Sequence, residues 1–131
     1  MPRPPIPAEY NDLLESTSLA NIATVDANGR PQVNPVWFIW DGTNILIGVR
    51  EATAKYRNLR SNPNLALAIL GAANPHRYLE LRGTIVKFHH YTDLGFVNQL
   101  ARKYTGKDFP PDTAGESRYR LTMHVPSWTG Q

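Results

Sequence analysis

Between positions 50 and 60 the chain carries four cations, Arg50, Lys55, Arg57 and Arg60, against one acid, Glu51. The run begins where an apolar, β-branched stretch ends, and a helical spacing takes over near Thr53. A helix start presents unpaired N–H groups and a partial positive charge, which favours anions. Lysine in that first turn, with arginine beside it, works against the helix unless something negative is held there. A phosphate gripped by Thr53, Lys55 and the helix start resolves the conflict. The other reading is that Lys55 and Arg57 extend into water, as surface cations usually do. The residues alone leave both open.

A second candidate lies upstream, in Pro31-Gln32-Val33-Asn34-Pro35-Val36-Trp37. Two prolines in one strand forfeit two ladder donors, which places the strand at a bulge or a partly open seam. Backbone groups left over on such a strand can hydrogen-bond the edge of a flat heterocycle, and Gln32 and Asn34 add side-chain donors and acceptors. An ordinary edge strand accounts for the same residues.

The elements that must position these residues are legible from periodicity. A short helix is expected over Glu9 to Ser16, with Tyr10, Leu13 and Leu14 on one face. Strands follow at Leu19 to Val25, Pro31 to Trp40 and Ile45 to Val49, joined by turns at Asp26-Ala27-Asn28-Gly29 and Asp41-Gly42-Thr43-Asn44, as a meander. Thr53 to Ser61 has helical spacing, with Ala52, Tyr56 and Leu59 inward, and Asn62-Pro63 stops it. Leu65 to Leu70 is an apolar run that predicts a strand buried on both faces. After the loop Gly71 to Arg77, a strand runs from Tyr78 to His89, with Tyr78, Glu80 and Arg82 on one face and Leu79 and Leu81 on the other. A helix from Thr92 to Tyr104, capped by Thr92, turns Leu94, Val97, Leu100, Ala101 and Tyr104 inward. A last strand is expected from Ser117 to Val125.

Six strands with short helices predict a mostly-β protein, a closed or nearly closed barrel that removes exposed edges. At 131 residues, with 41% hydrophobic and 19% charged, the chain suits one folded domain over its whole length. The proline-rich residues 1–8 form an extended arm. No apolar stretch approaches the roughly 20 residues that span a bilayer, so no membrane role is expected. Without cysteine there is no disulfide, thiol nucleophile or Cys-based metal site, and a soluble, cytoplasmic protein is the expectation.

The stretches LANIATVDANGRPQVNPVWFIWDG, LIGVREATAKYRNLRSNPNLALAIL and NPHRYLELRGTI together resemble the pyridoxamine 5'-phosphate oxidase-like split β-barrel proteins, and more narrowly the branch that uses the deazaflavin coenzyme F420 in place of FMN. The resemblance runs from about Leu14 to Thr105 and more loosely to Val125. It implies a six-stranded split β-barrel of the FMN-binding type, a homodimer with cofactor at the subunit interface. By position it implies that Thr53 and Lys55 hold the cofactor phosphate, with the Ala54 backbone, Arg57 and Asn58 nearby. Gln32, Asn34, Pro35 and Val36 would line the deazaflavin ring, and Val49 and Arg50 would flank its ribityl-like chain. Many relatives carry arginine where Thr53 stands. The loop from Asn74 to Tyr78 would approach from the other subunit, Arg77 meeting the anionic tail and Tyr78 offering a proton. Trp37 would touch ligand or partner.

The activity so implied is hydride transfer from reduced F420 to a small conjugated or unsaturated organic acceptor, with FMN as the alternative cofactor. Hydride transfer needs no triad of catalytic side chains, and none stands out. Adjacent His89 and His90 point to opposite strand faces, which disfavours a shared metal. A non-catalytic cofactor carrier is the competing reading. A nucleic-acid-binding barrel, suggested by a pI near 9.4, fits poorly because the cations cluster at one helix start instead of interleaving with aromatics.

Overall fold

The computed structural model describes residues 6–131. Seven strands form one antiparallel sheet: β1 (Ala20–Val25), β2 (Pro31–Val36), β3 (Phe38–Trp40), β4 (Ile45–Arg50), β5 (Asn64–Leu70), β6 (Tyr78–Tyr91) and β7 (Arg118–Gly130). Their order across the sheet is β2-β1-β5-β6-β7-β4-β3. The helices are α1 (Asn11–Leu14), α2 (Ala54–Ser61) and α3 (Gly95–Thr105), with 3₁₀ turns at Ala8–Tyr10 and Pro111–Thr113. Most of the expected arm at 1–8 lies outside the described residues; of the rest, Ile6 packs on the core and Ala8 already begins a 3₁₀ turn.

The mostly-β architecture with short helices is as expected, but the closed or nearly closed barrel of six strands is corrected: the sheet has seven strands, and no ladder closes it among the described residues. The segment Pro31 to Trp40 is two strands, because the chain changes partners at Trp37. Pro31 to Val36 pair with β1, Val36 opposite Ala20, whereas Phe38 to Trp40 pair with β4, Phe38 opposite Ile47. β2 and β3 are therefore the two ends of the sheet, separated by one residue of chain. Two Cα steps span at most about 7 Å, so the sheet has to curl until its ends meet. No ladder joins β2 to β3 among the described residues, and the covalent chain bridges the seam. Pro31 and Pro35 sit on an end strand, where a missing N–H is tolerated.

Side chains from α3 secure this seam. The Tyr104 hydroxyl accepts from the Phe38 N–H at 3.2 Å and donates to the Ser18 carbonyl at 3.0 Å. Lys103 Nζ donates to the Phe38 carbonyl at 2.7 Å. The Trp37 ring stacks on Tyr104 at 5.2 Å and 6°, and meets Phe109 edge-on. Backbone groups that a continuous ladder would have paired are thus satisfied by a helix. Tyr104→Phe keeps the stacking and removes the hydroxyl, so a loss of about 1–3 kcal/mol is expected in urea unfolding, from two orphaned backbone groups.

Other departures have local causes. The Asp26 loop uses positive φ at Gly29 alone, 78°, with Asp26 Oδ1 accepting from the Asn28 and Arg30 N–H groups. β5 alternates: Leu65, Leu67 and Ile69 are buried while Ala66 and Ala68 are partly exposed, so it is not buried on both faces. α3 starts at Gly95 because Asp93 Oδ1 takes the Gly95 N–H at 2.7 Å, while the Thr92 carbonyl is committed to Gly115. β7 runs past Val125 to Gly130, because a bulge sets Val125 and Pro126 against Gly83 and leaves the proline no ladder bond to make. The core is apolar side chains from the inner sheet face, including Phe38, Ile45, Ile47, Leu67, Leu79, Leu81, Leu121 and Met123, with Leu59 of α2 added.

Candidate functional site

Where the curled sheet meets α3, a cavity of about 330 Å³ opens. One wall is the bend Pro35-Val36-Trp37. A second is the end of β4 with Gly48, Val49 and Arg50, continuing to Thr53 and Lys55 at the start of α2. Val97 and Leu100 of α3 lie below, and Tyr91, Phe109 and Arg118 complete the lining. The cation-rich turn and the proline-broken strand, about 20 residues apart in sequence, therefore share one cleft.

Its electrostatics are lopsided. Among the described residues Lys55 has no ion pair or hydrogen-bond partner, and it is partly buried. Burial, and then the neighbouring Arg50, hold its ammonium below the usual lysine range. Arg118 is 4% exposed and donates to Glu116 Oε2 at 2.9 Å and to the Thr113 carbonyl at 3.2 Å. Glu116 also meets Arg50 at 3.4 Å, so one carboxylate serves two arginines and none serves Lys55. The first turn of α2 holds no acid, and its N–H groups have no partners within the helix. Thr53 does not cap the helix through its side chain; its Oγ1 donates to the Arg50 carbonyl at 2.8 Å and fixes the turn. An anion brought here meets a lysine already stripped of part of its water.

Of the residues singled out from sequence, Pro35, Val36, Trp37, Val49, Arg50, Thr53 and Lys55 line this cleft. The others stand off its wall. The buried amide of Asn58 donates to Thr24 Oγ1 at 3.0 Å and Gln32 Oε1 at 3.5 Å, which ties α2 to β1 and β2. Arg57 Nη1 donates to the Ala52 carbonyl at 3.1 Å, and Ala54 is the first residue of α2. Asn34 Oδ1 is buried on β2 without a partner. Arg77 Nη2 binds the Glu9 carbonyl and Asp12 Oδ1, at 2.6 and 2.8 Å, and Tyr78 pairs its backbone with Gln131. These last two lie at the opposite end of β6 from Tyr91, so within one subunit they do not join the cleft.

Sequence reasoning missed Leu19, Gly48, Tyr91, Val97, Leu100, Phe109 and Arg118. Gly48 did leave a signal, an isolated glycine inside the apolar strand ILIGVR, which marks close approach. A Cβ there would stand 2.9 Å from Leu100 Cδ1 and 3.4 Å from Phe96. Tyr91 and Arg118 face each other across the β6–β7 register, which no local pattern reveals. Burial pushes the Tyr91 phenol up to about 12, so it stays protonated at neutral pH.

Elsewhere, a groove of about 560 Å³ over β1, β5 and β6 offers one cation, Arg82, already paired with Glu80. Among the described residues no group of three or more His, Cys, Asp or Glu could hold a metal ion. His90 is bonded to Ser117 Oγ at 2.7 Å. No helix among the described residues is long and apolar enough to cross a membrane.

Known proteins give this geometry a context. A solved structure described as an F420 reductase is 33% identical, with 96% of this chain and 100% of that one covered, at a TM-score of 0.85. HupZ of Group A Streptococcus is 21% identical over 96% of this chain and 94% of its own, with a TM-score of 0.68. HutZ of Vibrio cholerae, described as a heme storage protein, is 14% identical over 93% and 92%, with a TM-score of 0.66. The last two share the fold. Among curated proteins none matches. The family model for pyridoxamine 5'-phosphate oxidase matches residues 6–124, a span that holds the bent strand, the cation-rich turn and every residue that lines the cleft. The chain belongs to the pyridoxamine 5'-phosphate oxidase family.

Proposed function

We propose that this protein is an oxidoreductase that binds coenzyme F420 in the cleft between the Trp37 bend and the α2 start, and reduces a small conjugated or unsaturated organic acceptor. The observation that carries the reading is Lys55: a partly buried cation, unpaired among the described residues, on the wall of a cavity whose other end is apolar and aromatic. The likeness to a protein described as an F420 reductase supports the deazaflavin over FMN; the cleft chemistry itself suits any phosphate-bearing flavin-type ring.

The residues fit such a group. Lys55, Arg50 and the N–H groups of the first α2 turn suit a phosphate and the acidic tail beyond it. Pro35, Val36 and Trp37 present an apolar wall to a flat ring, and the backbone groups of the bend lie beside it. Val97 and Leu100 exclude water from beneath. When bound, reduced deazaflavin supplies a hydride from its C5 carbon. The chain's task is to orient the ring, keep one face dry and hold the acceptor near van der Waals distance. A second copy of the chain would complete the cleft from outside; Val33, 66% exposed on β2, and Val86, 59% exposed on β6, are apolar surface available for burial in a homodimer.

Titration of F420 and FMN into one preparation tests the reading. F420 is expected to bind at least tenfold more tightly, and reduced F420 is expected to be oxidised by some member of an enone and quinone panel. Tighter FMN binding would replace the deazaflavin by a flavin, and F420 binding without turnover on any acceptor would leave a carrier. Light scattering is expected to give twice the chain mass.

A further inference from the structure

Beyond Tyr91 lies a second cavity, about 280 Å³, lined by His89, Tyr91, Asp93, Gly95, Phe96, Gln99 and Arg120. Tyr91 is part of the wall of both cavities. Its ring is fixed edge-on against Phe96, at 6.1 Å and 85°, and the residue is 8% exposed. Its hydroxyl is buried and has no hydrogen-bond partner in the protein. The same holds for Arg120 Nε, whose guanidinium sits 5.9 Å from the Phe96 ring centroid. Two of the few orphaned buried polar atoms among the described residues thus belong to one small cavity, and both groups can donate.

A buried donor left unpaired is destabilising, and two in one place point to a ligand. The charge around them says which kind. Arg120 makes no ion pair among the described residues, but Asp93 lies in the same wall, its Oδ1 taken by the Gly95 N–H. Arg118, close enough to act on Tyr91, does not line this cavity and is paired with Glu116, a carboxylate it shares with Arg50. One cation offset by one anion favours an uncharged acceptor oxygen over a carboxylate or phosphate, which Asp93 would repel. The Tyr91 proton is firmly held, so the phenol acts as a donor.

We propose that this cavity is a binding subsite for a carbonyl oxygen, held by the Tyr91 hydroxyl and the Arg120 Nε–H. Arg120 stands opposite His89 and Tyr91 opposite Arg118, so both donors come from one face of the β6–β7 ladder. That oxygen comes either from the head group of the molecule in the adjoining cleft or from a separate ketone-bearing acceptor. Only the first source rests on the cofactor reading above.

The test observes the Arg Nε–H resonances of ¹⁵N-labelled protein, that of Arg120 being identified by its loss in Arg120→Lys. F420 and cyclohexanone are titrated separately, F420 binding being followed independently by its fluorescence. A shift of the Arg120 signal with F420 assigns the oxygen to the cofactor head group. A shift with cyclohexanone alone assigns it to an acceptor. Either outcome supports the subsite, and Tyr91→Phe, which keeps the ring packing, is then expected to weaken the shifting ligand about 5- to 10-fold. A signal unmoved by both overturns the subsite, as does unchanged affinity in Tyr91→Phe. If F420 binds nowhere, the cofactor reading fails by itself and the cyclohexanone arm still decides.

Discussion

Lys55→Ala is expected to weaken F420 binding by about 1.5–3 kcal/mol, roughly 10- to 150-fold in Kd, with the fold intact. The size follows from the setting. An exposed lysine on a phosphate gains little because water competes; Lys55 is partly buried on the cleft wall with Arg50 beside it and no carboxylate partner among the described residues. Its desolvation is already present before a ligand arrives, so the gain from an anion is larger. Arg57 supplies the control. It is exposed, off the wall and bonded to the Ala52 carbonyl, so Arg57→Ala should change Kd by less than about threefold. Fluorescence titration of both variants checks the pair, and equal losses would mean a diffuse surface field in place of a seated phosphate.

Gly83→Ala should destabilise the protein by about 3 kcal/mol or more, or abolish soluble expression. Gly83 stands opposite the two-residue bulge Val125-Pro126, and a Cβ built on it would overlap the His124 carbonyl oxygen. The obstruction is backbone, so no rotamer relieves it. β6 and β7 form the longest ladder of the sheet, and they carry Tyr91 and Arg118 to the cleft at one end and Trp128 to the core at the other. Opening the strands at Gly83 would therefore reach both. A fall in the urea midpoint at unchanged m-value, with F420 affinity lost alongside, is the expected pattern. Wild-type stability in Gly83→Ala would mean that the bulge is placed differently.

Much of this architecture was written locally. The α2 helix, the start of β6 with Leu79 and Leu81 inward, and the turns at Gly29 and Gly42 follow from periodicity and from glycine at positive φ. The cation-rich turn was legible too, and Arg50, Thr53 and Lys55 of that turn line one cleft. What stayed hidden was pairing over distance. The prolines at 31 and 35 mark a partly open seam, but they do not say that the chain leaves β1 for β4 at Trp37, since that signal is a stacking partner and two backbone bonds supplied by Lys103 and Tyr104, more than 60 residues later. Asn58 was singled out for the cofactor, yet its amide is spent on Thr24 and Gln32. Tyr91 and Arg118 fall at strand ends whose register depends on two bulges. Pattern recognises elements; it does not count residues across a bulge.

The central claim is that one cleft grips an anionic tail at Arg50 to Lys55 and lays the attached ring against Pro35 to Trp37. A crystal structure of the protein with F420 tests it most directly. The account predicts the cofactor phosphate within hydrogen-bond distance of Lys55 Nζ and the deazaflavin ring against the Trp37 bend. A phosphate bound away from Lys55, or a ring lodged outside this cleft, would contradict it.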